Sequence, residues 1–94
     1  MSPIYYKSQE VVARQIAGET LLVPVRGDLA GLQRIFALDK VAQFIWERLD
    51  GQSDLDDICS AIVAEFDVGA GRVRADARRF IAELLEARLI RERG

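Results

Sequence analysis

Few side chains in this 94-residue chain could carry covalent or acid–base chemistry, and their spacing narrows the choice further. There is no histidine, so the commonest general base and the commonest metal ligand are both missing. What remains is one thiol, 15 carboxylates and 13 lysine or arginine side chains. Cys59 has no second cysteine to pair with, and its place between Ile58 and Ile62 reads as a small core residue in a helix rather than a nucleophile. The carboxylates show no recognisable catalytic pairing, the glycines form no phosphate-cradling loop, and no ligand cluster suggests a metal. Ser53-Asp54-Leu55 holds the residues of a phosphopantetheine attachment site in the wrong order. No catalytic residue, metal or cofactor is therefore expected, and binding is the function class left open.

Charge bounds the ligand. The formal net charge is −2, which argues against affinity gained by covering nucleic acid or an anionic membrane with positive charge. The one dense basic group is Arg72, Arg74, Arg78 and Arg79, interspersed with acids. Such a run either solvates a helix or selects an acidic side chain, and the pattern allows both.

The elements that must position these groups follow from periodicity. Residues 11 to 17 and 19 to 26 are rich in aliphatic and β-branched side chains and are split by Gly18, which predicts a hairpin. Pro24 cannot donate to a ladder, so the second strand must be an edge there or turn that position to solvent. Residues 26 to 31 read as a loop, and Gln33 to Leu38 as a third strand leading into a first helix that Asp39 caps and Gly51 ends. Val41, Ala42, Phe44, Ile45, Trp46 and Leu49 give that helix a broad apolar face. Ser53 is the expected cap of a second helix, with Leu55, Ile58, Ile62, Val63 and Phe66 inward. A third helix covers roughly residues 71 to 88, with Val73, Ala77, Phe80 and Leu84 on its core line. The fold class is α+β: a three-stranded antiparallel sheet followed by three helices, winged-helix-like. One domain spans 1–94, with residues 1–9 as a flexible arm, and half of the residues being hydrophobic suffices for one core. No apolar run reaches signal-peptide or membrane-spanning length, so a cytoplasmic location is expected.

The wording of the run from Leu38 to Gly51, Leu-Asp-Lys-Val-Ala-Gln-Phe-Ile-Trp-Glu-Arg-Leu-Asp-Gly, resembles the PqqD-like family of small peptide-binding proteins. These act in pyrroloquinoline quinone biosynthesis and more widely as recognition elements for ribosomally made, modified peptides. The order of elements on both sides, from Val11 to Val23 and from Glu65 to Ile90, follows the same family. The sequence departs from it at Asp39, where asparagine is commoner, at Val41, often threonine or serine, and at Arg88, usually glycine. The Ile45-Trp46 pair resembles the broad group rather than members dedicated to pyrroloquinoline quinone.

The resemblance implies a non-catalytic adaptor that binds the leader segment of a precursor peptide and presents it to a modifying enzyme, such as a radical S-adenosylmethionine protein. It implies that the leader adds as a strand along the third strand, in a groove whose other wall is the third helix. Carried onto this sequence, the peptide-binding residues are Arg34, Ile35, Phe36, Ala37 and Leu38 of the strand and Arg74, Arg78, Ile81 and Leu85 of the helix. Strand alternation puts Arg34 and Phe36 on one face and Ile35 and Ala37 on the other, and the sequence leaves open which lines the groove. The alternative is a winged-helix DNA-binding regulator with an arginine-bearing third helix in the major groove, against which stand the net charge and the glutamates in that helix.

Overall fold

The hairpin turns where the sequence breaks. Ala17 and Gly18 both take positive φ, +51° and +83°, the backbone that a tight two-residue turn between right-twisted strands requires. The computed structural model describes residues 2–24 and 36–93, and within them the hairpin is β2 (Val11–Ile16) and β3 (Glu19–Pro24), paired from Ile16 with Glu19 to Val11 with Pro24. A third antiparallel strand, β4 (Phe36–Leu38), pairs with residues 20 to 22 of β3. Pro24 stands opposite Val11 at the far end of the β2–β3 ladder and beyond the described pairing with β4. The expected loop at residues 26 to 31, and the first part of the expected third strand at residues 33 to 35, lie outside the described residues.

Three helices follow the hairpin: α1 (Lys40–Glu47), α2 (Leu55–Glu65) and α3 (Ala70–Glu86). The Asp39 side chain accepts from the Ala42 amide, as its position in the sequence predicts, but the helix ends at Arg48 rather than at Gly51. Gly51 does take φ +78°, inside a strand. That strand, β5 (Asp50–Asp54), is entirely polar and pairs with β1 (Ile4–Lys7) through a bulge, closed by the Asp50 carboxylate accepting from the amides of Gln52 and Ser53. The cap of α2 is Asp54 rather than Ser53. Its side chain takes the Asp57 amide while the Asp57 side chain takes the Asp54 amide, a reciprocal capping box.

The segment expected as a free arm is the middle of a second sheet. β1 pairs on one side with β5 and on the other with β6 (Ile90–Glu92), both antiparallel, so the order is β5-β1-β6 beside β2-β3-β4. Tyr5 at 7% exposure anchors it in the core. The fold keeps the expected three-stranded antiparallel sheet and three helices, with this second sheet added.

The core lies where the helices meet the sheets, around the fully buried Leu22, Leu49, Ile58, Ile62, Leu84 and Leu89. Val63, expected inward, is 39% exposed. The end of α3 is closed by two crossed bonds, the Leu89 amide to the Leu84 carbonyl and the Arg88 amide to the Leu85 carbonyl, with Leu84 and Leu89 both wholly buried. Arg88 stands in the left-handed position of that motif, at φ +64°. The resemblance implies glycine at this position, and glycine takes such a backbone without the cost that a side chain adds.

Candidate functional site

β4 is an edge strand. Its inner side pairs with β3, and among the described residues it stands last in the order β2-β3-β4. Within β4 the side chains alternate: Phe36 (5% exposed) and Leu38 (8%) enter the core, and Ala37 faces out. The face left open by the sequence is thus decided for the described part of the strand, with Ala37 outward. Arg34 and Ile35 lie outside the described residues.

Leu38 leads directly to Asp39 and into a groove of about 720 Å³. One wall is the start of α1, where Asp39, Val41, Ala42 and Ile45 line it, and the other is a stripe of α3 comprising Arg72, Val73, Asp76, Ala77, Phe80 and Glu83. Ile62 of α2 contributes, and Asp67, Val68 and Gly69 close the end between α2 and α3. Spacing explains both walls. Residues 41, 42 and 45 share one side of a helix, and 69, 72, 76, 80 and 83 share another at intervals of three and four. The apolar residues 41 and 42, half-buried here, are the part of the broad α1 face that the core does not consume.

The helix residues expected to bind peptide are not on that stripe. At about 100° per residue, Arg74, Arg78 and Leu85 lie roughly 180° around α3 from Arg72, Asp76 and Phe80. The Arg74 guanidinium is hydrogen-bonded to Asp56 of α2, an ion pair that raises its already high pKa. The charges of Arg74 and Arg78 both act on buried Cys59, and that of Arg78 on Tyr5, which puts this flank toward α2 and β1. Ile81 is 3% exposed and belongs to the core, and Leu85 is half-buried against it. The groove therefore joins the start of α1, which follows β4 directly, to the Arg72 stripe of α3, and Arg74, Arg78, Ile81 and Leu85 are not in its lining.

Sequence reasoning missed Asp39, Val41, Ala42, Asp67, Arg72, Asp76, Phe80 and Glu83 as a set. A signal for part of it was present, because Val41 and Ala42 widen the apolar face of α1 beyond what one core contact needs. Arg72 and Arg79 both engage Asp76, at 3.7 Å and 3.0 Å, so the basic side chains nearest the groove are already neutralised in part. Burial pushes the Cys59 thiol up in pKa, against the opposing pull of Arg74, so the thiol is a packed core group with little thiolate. Among the described residues no group of histidine, cysteine, aspartate or glutamate side chains could hold a metal, and no helix is long and apolar enough to cross a membrane.

A family model described as coenzyme PQQ synthesis protein D (PqqD) matches residues 19–90. The PqqA binding protein of Rhizobium meliloti (strain 1021) is 35% identical over 69 residues, 71% of this chain and 70% of that protein. The PqqA binding protein of Xanthomonas oryzae pv. oryzae (strain PXO99A) is 36% identical over 59 residues, 63% of this chain and 64% of its own. Among solved structures, TbiB1 in complex with the TbiA(beta) leader peptide matches with a TM-score of 0.71 at 29% identity, over 90% of this chain and 93% of that one. Lasso peptide synthetase B1 complexed with the leader peptide matches with a TM-score of 0.74 over 93% and 96% of the two chains, and at 18% identity it speaks to the fold alone.

Proposed function

The chain belongs to the family of coenzyme PQQ synthesis protein D, and from that membership we propose that it is a non-catalytic adaptor, acting in the cytoplasm as one unit over residues 1–94, that binds the leader segment of a ribosomally made precursor peptide and presents the remainder to a modifying enzyme. The observation that supports this reading is the place of β4 at the end of the sheet order among the described residues, with Ala37 facing outward and Leu38 leading straight into a half-apolar groove. An open edge offers backbone donors and acceptors to any extended chain, and the groove beside it supplies selectivity for side chains. Residues 34 to 38 are the proposed pairing segment, with Arg34 and Ile35 its part outside the described residues. Val41, Ala42 and Phe80 are the proposed apolar seat.

The adaptor's contribution to rate is proximity. Holding a leader beside an active site raises the local substrate concentration to the order of millimolar without any group on the adaptor entering the chemistry. A radical S-adenosylmethionine protein or another peptide-modifying enzyme is the proposed partner. DNA binding is disfavoured by the surface of α3 itself, where Asp76 and Glu83 share the exposed stripe with Arg72.

An amide-resolved titration with the leader segment of a ribosomally made precursor peptide tests the assignment. Ala37, Leu38, Val41, Ala42, Arg72, Asp76 and Phe80 should shift together. Shifts confined to the Arg74 and Arg78 flank or to α2, with β4 and α1 silent, would refute it.

A further inference from the structure

We infer that the groove selects leader peptides carrying a lysine or arginine beside the apolar residue that anchors them. The inference rests on the peptide-binding reading above and names the chemistry of the peptide. Its basis is the charge of the lining. Among the described residues, four carboxylates (Asp39, Asp67, Asp76 and Glu83) line the groove against two guanidinium groups, Arg72 and Arg79. Both guanidinium groups bond the same carboxylate, Asp76, and their side chains are 85% and 73% exposed, reaching outward from the helix. Asp39 and Asp67 line the same groove outside that partly neutralised cluster. Asp39 uses one carboxylate oxygen on the Ala42 amide and has the other left over, and Asp67 makes no hydrogen bond or ion pair among the described residues. The remaining basic side chains of α3, Arg74 and Arg78, lie on its opposite flank, where Arg74 is paired with Asp56.

Between these charges the floor is apolar: Val41, Ala42, Ile45, Val73, Ala77 and Phe80. An extended segment placed along the edge of β4 would set alternate side chains into this floor, and their neighbours along the segment would meet the acidic lining. A lysine or arginine suits such a position well, because its aliphatic stem can cover apolar surface while its cation reaches Asp39 or Asp67. An acidic neighbour there meets like charge and is disfavoured.

The test uses the full chain, immobilised, and a displayed library of random peptides of about twelve residues as the probe. Enriched peptides should pair a large aliphatic or aromatic residue with a nearby lysine or arginine, favoured over aspartate or glutamate on the order of fivefold, with the preference shrinking in molar salt. The double variant Asp39→Asn and Asp67→Asn should enrich the same apolar residues with that basic preference gone. Asparagine keeps the helix cap, and Asp67→Asn alone, outside any helix, should remove part of the preference if the double variant folds poorly. Enriched peptides that shift Ala37 and Leu38 but show no basic preference overturn this inference and leave the peptide-binding reading standing. A basic preference that survives in both variants also overturns it. Failure to enrich any peptide that shifts β4 sinks both.

Discussion

Replacing Trp46 by alanine should bring the domain close to unfolding. Trp46 is 4% exposed on the core side of α1, whose other side forms one wall of the groove. A buried tryptophan removes about 200 Å² from water, and at about 25 cal/mol per Å² that is about 5 kcal/mol as an upper bound. Measured truncations of this kind cost about 3–5 kcal/mol, because the cavity left behind collapses only in part. The Lys7 ammonium, 5.6 Å from the ring centroid, would also lose its aromatic partner. A domain of this size has roughly 5–15 kcal/mol in total, so a large share of the stability is at stake. Urea unfolding followed by circular dichroism is the assay, since the variant has no tryptophan left to report. With an m-value of roughly 1.5 kcal/mol/M, the midpoint should fall by about 2–3 M. A shift of less than about 0.5 M, or an emission maximum of exposed indole in the native protein, would refute the packing argument.

Four further outcomes are expected. Thr20→Val removes the buried hydroxyl that accepts from the Gln15 side chain at 2.7 Å and donates to that of Gln43 at 2.9 Å; it should cost about 1–2 kcal/mol, with a coupling of about 1 kcal/mol to Gln43→Ala in a double-mutant cycle. Cys59→Ala should cost on the order of 1 kcal/mol and leave peptide binding unchanged, and the native thiol should react with a thiol reagent far more slowly than the unfolded one, because burial raises its pKa. Arg88→Gly should raise stability by about 0.5–1 kcal/mol in thermal unfolding, since glycine takes the φ of +64° without the penalty a side chain adds. The Asp50 carboxylate is held below its ordinary pKa by the amides of Gln52 and Ser53, so below about pH 4 the unfolded chain takes up a proton first; the stabilisation is present above that pH and lost as pH falls, and wild-type should lose stability on acidification more steeply than Asp50→Ala.

The parts of the fold that were legible in the sequence are those written in local chemistry. Gly18 between two β-branched runs fixes the hairpin, Asp39 before an apolar periodic run fixes the start of α1, and Ile58, Cys59 and Ile62 mark the inward side of α2. The second sheet was not legible. β5 reads Asp-Gly-Gln-Ser-Asp, a string of turn residues with no apolar alternation, and it is a strand only because β1 lies beside it and the Asp50 side chain closes its bulge. The site was half legible. The edge strand could be inferred, but a helix has two flanks beside its core line, and no feature within α3 tells which one a neighbour leaves open. Arg74 and Arg78 looked the more selective flank, yet Asp56 on α2 occupies the first of them and leaves the acidic stripe to the groove.

The pairing of β1 with β6 has a consequence for the order in which the molecule can be completed. Lys7 lies opposite Ile90, and Tyr5 opposite Glu92, so the earliest strand waits for nearly the whole chain before its second edge is covered. During synthesis the β2–β3 hairpin, whose partners are close in sequence, can close soon after it emerges, while β1 holds an unpaired edge until residues 90 to 92 leave the ribosome. A nascent chain stalled within α3 would therefore carry a finished hairpin and an exposed N-terminal strand, the species among its intermediates most open to pairing with another copy.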